Sequence, residues 1–127
     1  MDLPDTGVYG LIGEEGFSRL VGAFYRRVRT DDLLGPMYPG ADFAGAEGRL
    51  RDFLVGRFGG PMRYIERRGH PRLRVRHARF KIDPAARDRW VALMDEALAE
   101  SALPAGPARL LRQFFHDSGT FLINNAG

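Results

Sequence analysis

His77 has the widest chemical reach of any side chain in this 127-residue sequence. It stands in the run Arg76-His77-Ala78-Arg79-Phe80, among the apolar positions Leu73, Val75, Phe80 and Ile82 and just ahead of Asp83-Pro84. Neutral imidazole is the usual nitrogen donor to iron, so a metal or a metal cofactor in this protein would find its best-placed ligand here. Taken singly, a histidine near a helix end is more often structural, and its neighbours must decide. The only other histidines are His70 and His116, and there is no cysteine. These are too few for a closed zinc site, and Pro71 interrupts any helical spacing between His70 and His77. Disulfides, thiolate metal sites and cysteine nucleophiles are excluded outright, which fits a reducing compartment.

The other constellations carry less. His116-Asp117-Ser118 contains the residue types of a hydrolytic triad, but adjacent helical residues point in different directions and cannot form that relay. Gly59-Gly60 lacks the lysine and hydroxyl of a phosphate loop and reads as a helix stop. Three polar aromatics are more informative. Tyr25, Tyr38 and Trp90 each join an apolar body to one hydrogen-bonding tip. Each alone reads as a core aromatic; together, facing an imidazole on another element, they could donate to a metal-bound ligand.

Helices must bring these residues together. Phe17, Leu20, Val21, Phe24 and Val28 recur at helical spacing, with arginines on the opposite side, which predicts a first amphipathic helix. Gly35-Pro36 and Tyr38-Pro39-Gly40 break the chain after it. A second helix is predicted from about Ala44 to Phe58, its stripe formed by Leu50, Phe53 and Leu54, stopped by Gly59-Gly60-Pro61. Residues 61–73 read as short helical pieces and loop, followed by a brief helix from Leu73 to His77. Asp83 is the predicted N-cap of a third long helix, with Pro84 in its first turn and Trp90, Leu93, Met94, Ala97 and Leu98 on one side. Residues 103–107 read as a turn, and a last helix from about Ala108 to Ile123 is predicted to turn Leu111, Phe114, Phe115, Phe121 and Leu122 inward. No stretch alternates as a strand should. The fold class predicted is all-α, one domain over residues 1–127, with residues 1–8 a loose tail.

The charge is modest, a formal +3, and all but Lys81 of the 19 basic residues are arginine. No apolar run approaches membrane-spanning length, and the start Met1-Asp2-Leu3-Pro4-Asp5 lacks the basic region of a signal peptide, so a cytoplasmic protein is expected.

Several runs resemble a truncated haemoglobin: Phe24-Tyr25, Met37-Tyr38-Pro39, residues 44–54 (AGAEGRLRDFL) and Phe58-Gly59-Gly60-Pro61. The stretch 68–80 (RGHPRLRVRHARF) and Arg87-Asp88-Arg89-Trp90 are similar to the second, O-type group in particular. The resemblance implies a globin-like, two-over-two helical sandwich around haem b, with His77 as the proximal ligand of a five-coordinate iron. It places Tyr25, Tyr38 and Trp90 in a distal donor cluster, beside Ala46 and Leu50. Ala46 falls where many globins carry a distal histidine, and alanine has nothing to donate. Phe24, Phe53, Leu54, Leu73, Phe80, Ile82 and Met94 are the implied apolar cofactor contacts, and Arg49 and Arg76 the implied partners of the haem propionates. The implied function is reversible binding of dioxygen, carbon monoxide, nitric oxide or other small ligands. Donors favour polarised dioxygen over carbon monoxide, and two of them at ~1.5–3 kcal/mol each would slow its loss by roughly two to four orders of magnitude. The family's usual paired glycine near the first loop is reduced here to Gly13-Glu14, Phe58 replaces a common tryptophan, and Arg79 adds charge beside the proximal histidine.

Two other functions compete. A haem redox enzyme, acting as a nitric oxide dioxygenase or a peroxidase, would draw electrons from an external reductase. A nucleic-acid-binding module would use Arg63, Arg67, Arg68, Arg72, Arg74, Arg76 and Arg79 against phosphates. The low net charge and the lack of interleaved aromatics speak against nucleic acid. The resemblance also allows a homodimer.

Overall fold

The computed structural model of the protein describes residues 3–38, 40, 42–78 and 80–125. Pro39 and Arg79 lie outside the described residues, as do the first two residues of the expected tail. Six helices follow one another: α1 (Val8–Val28), α2 (Phe43–Arg57), α3 (Arg63–Arg68), α4 (Leu73–His77), α5 (Pro84–Ser101) and α6 (Ala105–Phe121). Among the described residues there is no strand, and the fold is all-α. None of the helices is long and apolar enough to cross a membrane.

The predicted stripe organises the packing. Phe17, Leu20, Val21, Phe24 and Val28 are all fully buried on α1. From this helix the chain builds two layers: α1 packs on α2, α5 packs on α6, and α1 lies against α5. Leu54 and Val55 of α2, Met94 and Ala97 of α5, and Leu111 and Phe115 of α6 complete one core. Burial of this apolar surface is the main force assembling the layers. Two ion-pair groups lock them at the surface. Glu100 of α5 takes Arg26 and Arg27 of α1, and Asp31 and Asp32, just after α1, take Arg89 of α5.

Residues 3–8 are not the loose tail expected. Leu3 packs against the core, Asp5–Gly7 forms a short 3-10 turn, and Val8 is fully buried. Gly59 is the reason. With φ +102 it has no side chain, and a Cβ there would lie 2.0 Å from the Thr6 carbonyl oxygen. The N-terminal turn therefore rests directly on the end of α2, tied by the Tyr9 amide donating to the Phe58 carbonyl at 3.0 Å. Gly13, at φ 64 and ψ −177, bends α1. A positive φ of this kind is open to glycine at little cost, so a single glycine makes the junction.

The last helix starts earlier than predicted, at Ala105 rather than Ala108. Pro107 sits in its first turn, where the missing amide hydrogen would have had no intrahelical partner. The turn before it is correspondingly short and relies on Ala102 at φ 50. Phe121 is not inward: it is 51% exposed, with the Arg74 guanidinium stacked over its ring at 4.3 Å. The start of α2 moves by one residue, because Asp42 accepts from the Gly45 amide at 3.0 Å and caps the helix there.

Candidate functional site

A cavity of about 670 Å³ opens between the two layers, bordered by residues of all six helices. Ligand pockets commonly run from about 300 to 1,000 Å³. Leu50, Phe53 and Leu54 of α2 line it together with Leu73, Phe80 and Ile82 and with the buried Ala86 and Phe115. The charged members lie toward solvent: Arg68 and Arg76 are exposed and Arg49 is half-buried.

His77 lines this cavity from the last position of α4. Its Nδ1 lies 2.7 Å from the Leu73 carbonyl oxygen, one turn back. A carbonyl only accepts, so Nδ1 carries the proton, and in the neutral ring that leaves the lone pair on Nε2. The hydrogen bond therefore sets both the tautomer and the ring orientation. His70 and His116 do not line the cavity. The His70 Nδ1 accepts from the Arg72 amide at 3.1 Å, and the His116 Nε2 faces both Asp95 carboxylate oxygens at 3.1 Å.

Tyr25, Tyr38 and Trp90 all line the cavity as well. The Tyr38 and Tyr25 hydroxyls lie 3.4 Å apart and share one hydrogen bond, and the two rings meet edge to face at 5.6 Å. Burial pushes both phenols above the ordinary tyrosine range, and for Tyr25 the neighbouring Tyr38 adds to the effect. Both hydroxyls therefore keep their protons at neutral pH. One of the two hydrogens is used between the rings, so the pair has one left for something else. The Trp90 ring is gripped edge-on by Phe24 at 5.8 Å and Phe115 at 5.7 Å. Among the described residues the Trp90 indole N–H has no hydrogen-bond partner.

Ala46 is buried against the cavity and offers no donor. Phe24 and Met94, implied as cofactor contacts, are fully buried and do not line the cavity. Phe24 stands behind the wall, bracing Tyr25 at 5.0 Å and Trp90. Arg49 reaches Asp42 at 3.6 Å. Arg76 is already engaged, its Nε donating to the Pro71 carbonyl and another guanidinium nitrogen to that of Arg68. Tyr64, Met37 and Arg87 line the cavity with no role expected for them from the sequence, and so does Arg68, expected only against phosphates. Tyr64 packs on Phe53 at 5.7 Å and under Arg76 at 5.6 Å. Its one available signal was being the sole aromatic in an arginine-rich helix.

A family model described as bacterial-like globin matches residues 7–117. Over 90 residues the chain is 41% identical to the Group 2 truncated hemoglobin YjbI of Bacillus subtilis (strain 168), covering 71% of this chain and 67% of that one. It is similar to the solved structure of a thermostable hemoglobin from the actinobacterium Thermobifida fusca, at 44% identity and a TM-score of 0.89 over 92% of this chain and 96% of that one. A truncated oxygen-avid haemoglobin from Bacillus subtilis is similar at 34% identity and a TM-score of 0.88, covering 92% and 98%. With its helices, its cavity and these relatives in agreement, the chain belongs to the bacterial-like globin family, as a truncated haemoglobin of group II.

Proposed function

We propose that the cavity holds haem b with His77 as the protein's one ligand to its iron, and that the protein binds small diatomic gases there, dioxygen tightly. The residues present fit that group. Apolar side chains from α2 and from residues 73–82 can cover the two faces of a flat macrocycle, and arginines stand at the solvent edge where its carboxylates would emerge. The observation that carries the reading is the 2.7 Å contact between His77 Nδ1 and the Leu73 carbonyl. It selects the neutral tautomer whose lone pair is on Nε2, the form a metal ligand requires, and a carbonyl partner on the other nitrogen makes it a better donor.

Arg49, Arg68 and Arg76 are the proposed anchors for the carboxylates, through charge-assisted bonds. When bound, ferrous haem supplies an open axial position for a gas. Ala46 keeps protein ligands away from that position. The Tyr25–Tyr38 pair and Trp90 supply hydrogens to a polarised diatomic molecule, and the bond between the two hydroxyls orients both. A relative described as oxygen-avid is in keeping with this donor pair.

Absorption spectra of the purified protein, reduced with and without carbon monoxide, test the reading. The expected result is a sharp Soret band that moves on adding the gas. His77→Ala should bind the cofactor weakly and lose the five-coordinate ferrous spectrum. A colourless wild type that stays colourless after reconstitution with haem would overturn the proposal, and an unchanged spectrum in His77→Ala would overturn the ligand assignment.

A further inference from the structure

The segment carrying His77 has little support of its own. α4 is five residues long, far below the length at which an isolated helix persists in water. It starts from Arg72, held at φ 44, and Ala78 and residues 80–82 lie outside any helix, ahead of the Asp83 cap of α5. The chain that follows α6 turns back along this segment, and Asn124 meets it with four hydrogen bonds. The Asn124 backbone amide donates to the Ile82 carbonyl at 2.8 Å. Its Oδ1 accepts from the Ile82 amide at 2.9 Å. Its Nδ2 donates to the Phe80 carbonyl at 2.9 Å and to the His77 carbonyl at 3.4 Å. The His77 carbonyl also accepts from the Phe80 amide at 3.0 Å, so the side chain closes over a tight turn that begins at His77.

We propose that Asn124 is a positioning residue for His77, clamping the turn after it so that the imidazole keeps its direction into the cavity. The proposal rests on the reading of His77 as the iron ligand. The chemistry of the clamp is specific to a carboxamide. Two carbonyls face one side of the group and one N–H faces the other, which fixes which end is nitrogen and which is oxygen. Aspartate would set an acceptor against two carbonyls, and alanine would leave only the backbone bond. His77 is then held at both ends: its ring by Leu73 from within the helix, its carbonyl by Asn124 from outside. Neither hold is redundant. The ring bond fixes rotation about the side chain, while the carbonyl bond fixes the backbone from which that side chain springs.

Two variants test the clamp, with two readouts. In protein freed of haem, Asn124→Ala should speed hydrogen exchange at the Ile82 amide by roughly 10- to 100-fold, as one or two net hydrogen bonds are lost. Asn124→Asp keeps an acceptor for that amide and should exchange less rapidly than the alanine variant. In reduced, haem-loaded protein, both variants should shift or broaden the iron–histidine stretching band in resonance Raman spectra, because both lose the donors to His77 and Phe80. Gly59→Ala, remote from His77, should lower stability and leave that band in place. An iron–histidine band at its wild-type position in both Asn124 variants would overturn the clamp while leaving the ligand assignment intact. A wild type with no such band would remove the ligand assignment, and the clamp's purpose with it.

Discussion

Spare hydrogens give the cavity its chemistry. The Tyr25–Tyr38 pair spends one of its two hydroxyl hydrogens between its own members, so two hydrogens remain for a guest, one from the pair and one from the Trp90 indole. Burial, which holds both phenols protonated, keeps the arrangement constant across the neutral range. The two donors should differ in how replaceable they are. Trp90→Phe removes a hydrogen that nothing nearby can supply, and dioxygen should leave roughly 10- to 100-fold faster, the equivalent of one hydrogen bond to a polarised acceptor. Tyr25→Phe removes a donor but also releases the Tyr38 proton, so its effect should be smaller. Stopped-flow release of dioxygen measures both. Equal and unchanged rates in the two variants would mean that neither group touches the guest, and carbon monoxide release should respond far less in either case.

Helix ends rather than helix middles set the frame around these side chains. Asp83 caps α5 by accepting from the Ala86 amide at 2.9 Å, and Asp83→Ala should cost about 1 kcal/mol in denaturant unfolding. Gly59→Ala should cost more, about 2 kcal/mol or above, because it adds both a strained φ and a clash with the Thr6 carbonyl. A Gly59→Ala protein as stable as the wild type would mean that the N-terminal turn does not bear on α2 as described. Ends of this kind were legible in the sequence wherever a local signal sufficed. Asp83-Pro84 and the Leu73–His77 helix read directly, as did the positions of Tyr25, Tyr38, Trp90 and His77 that come to face one cavity. What did not read was set by distant partners. Pro107 looked like a breaker but lies where a helix tolerates it. Phe121 looked like core until Arg74 covered it from outside. Phe24 and Met94 are fully buried without lining the cavity, a distinction of depth that periodicity does not encode. Asn124 carried no pattern at all, since its partners are more than forty residues away.

Across the whole molecule, acid should act through three carboxylates that join elements. Arg63 holds Glu14 below the usual range, and Arg27 does the same for Glu100. For Asp31 burial pushes upward, but the Leu34 and Leu33 amides and Arg89 outweigh it, and its pKa is also lowered. Each of these groups has a lower pKa folded than unfolded. Its stabilisation is therefore complete above the unfolded value, about 4, and disappears as pH falls through the folded one. Asp31→Asn should melt at a lower temperature than wild type at pH 7, and the two curves should converge below about pH 3. Parallel curves throughout that range would deny Asp31 its part. The exposed Glu100 pairs should add little once salt is raised.

Every helix contributes a side chain to the cavity wall, and this makes the occupant part of the protein's interior. Emptied, the two layers face each other across a hollow and lose the contacts that a filled core would make. A guest that binds only the folded chain raises the melting temperature in proportion to the logarithm of its concentration over its dissociation constant. Assembly of the chain and uptake of its cofactor then become one linked equilibrium, so the supply of tetrapyrrole governs how much folded protein survives heating.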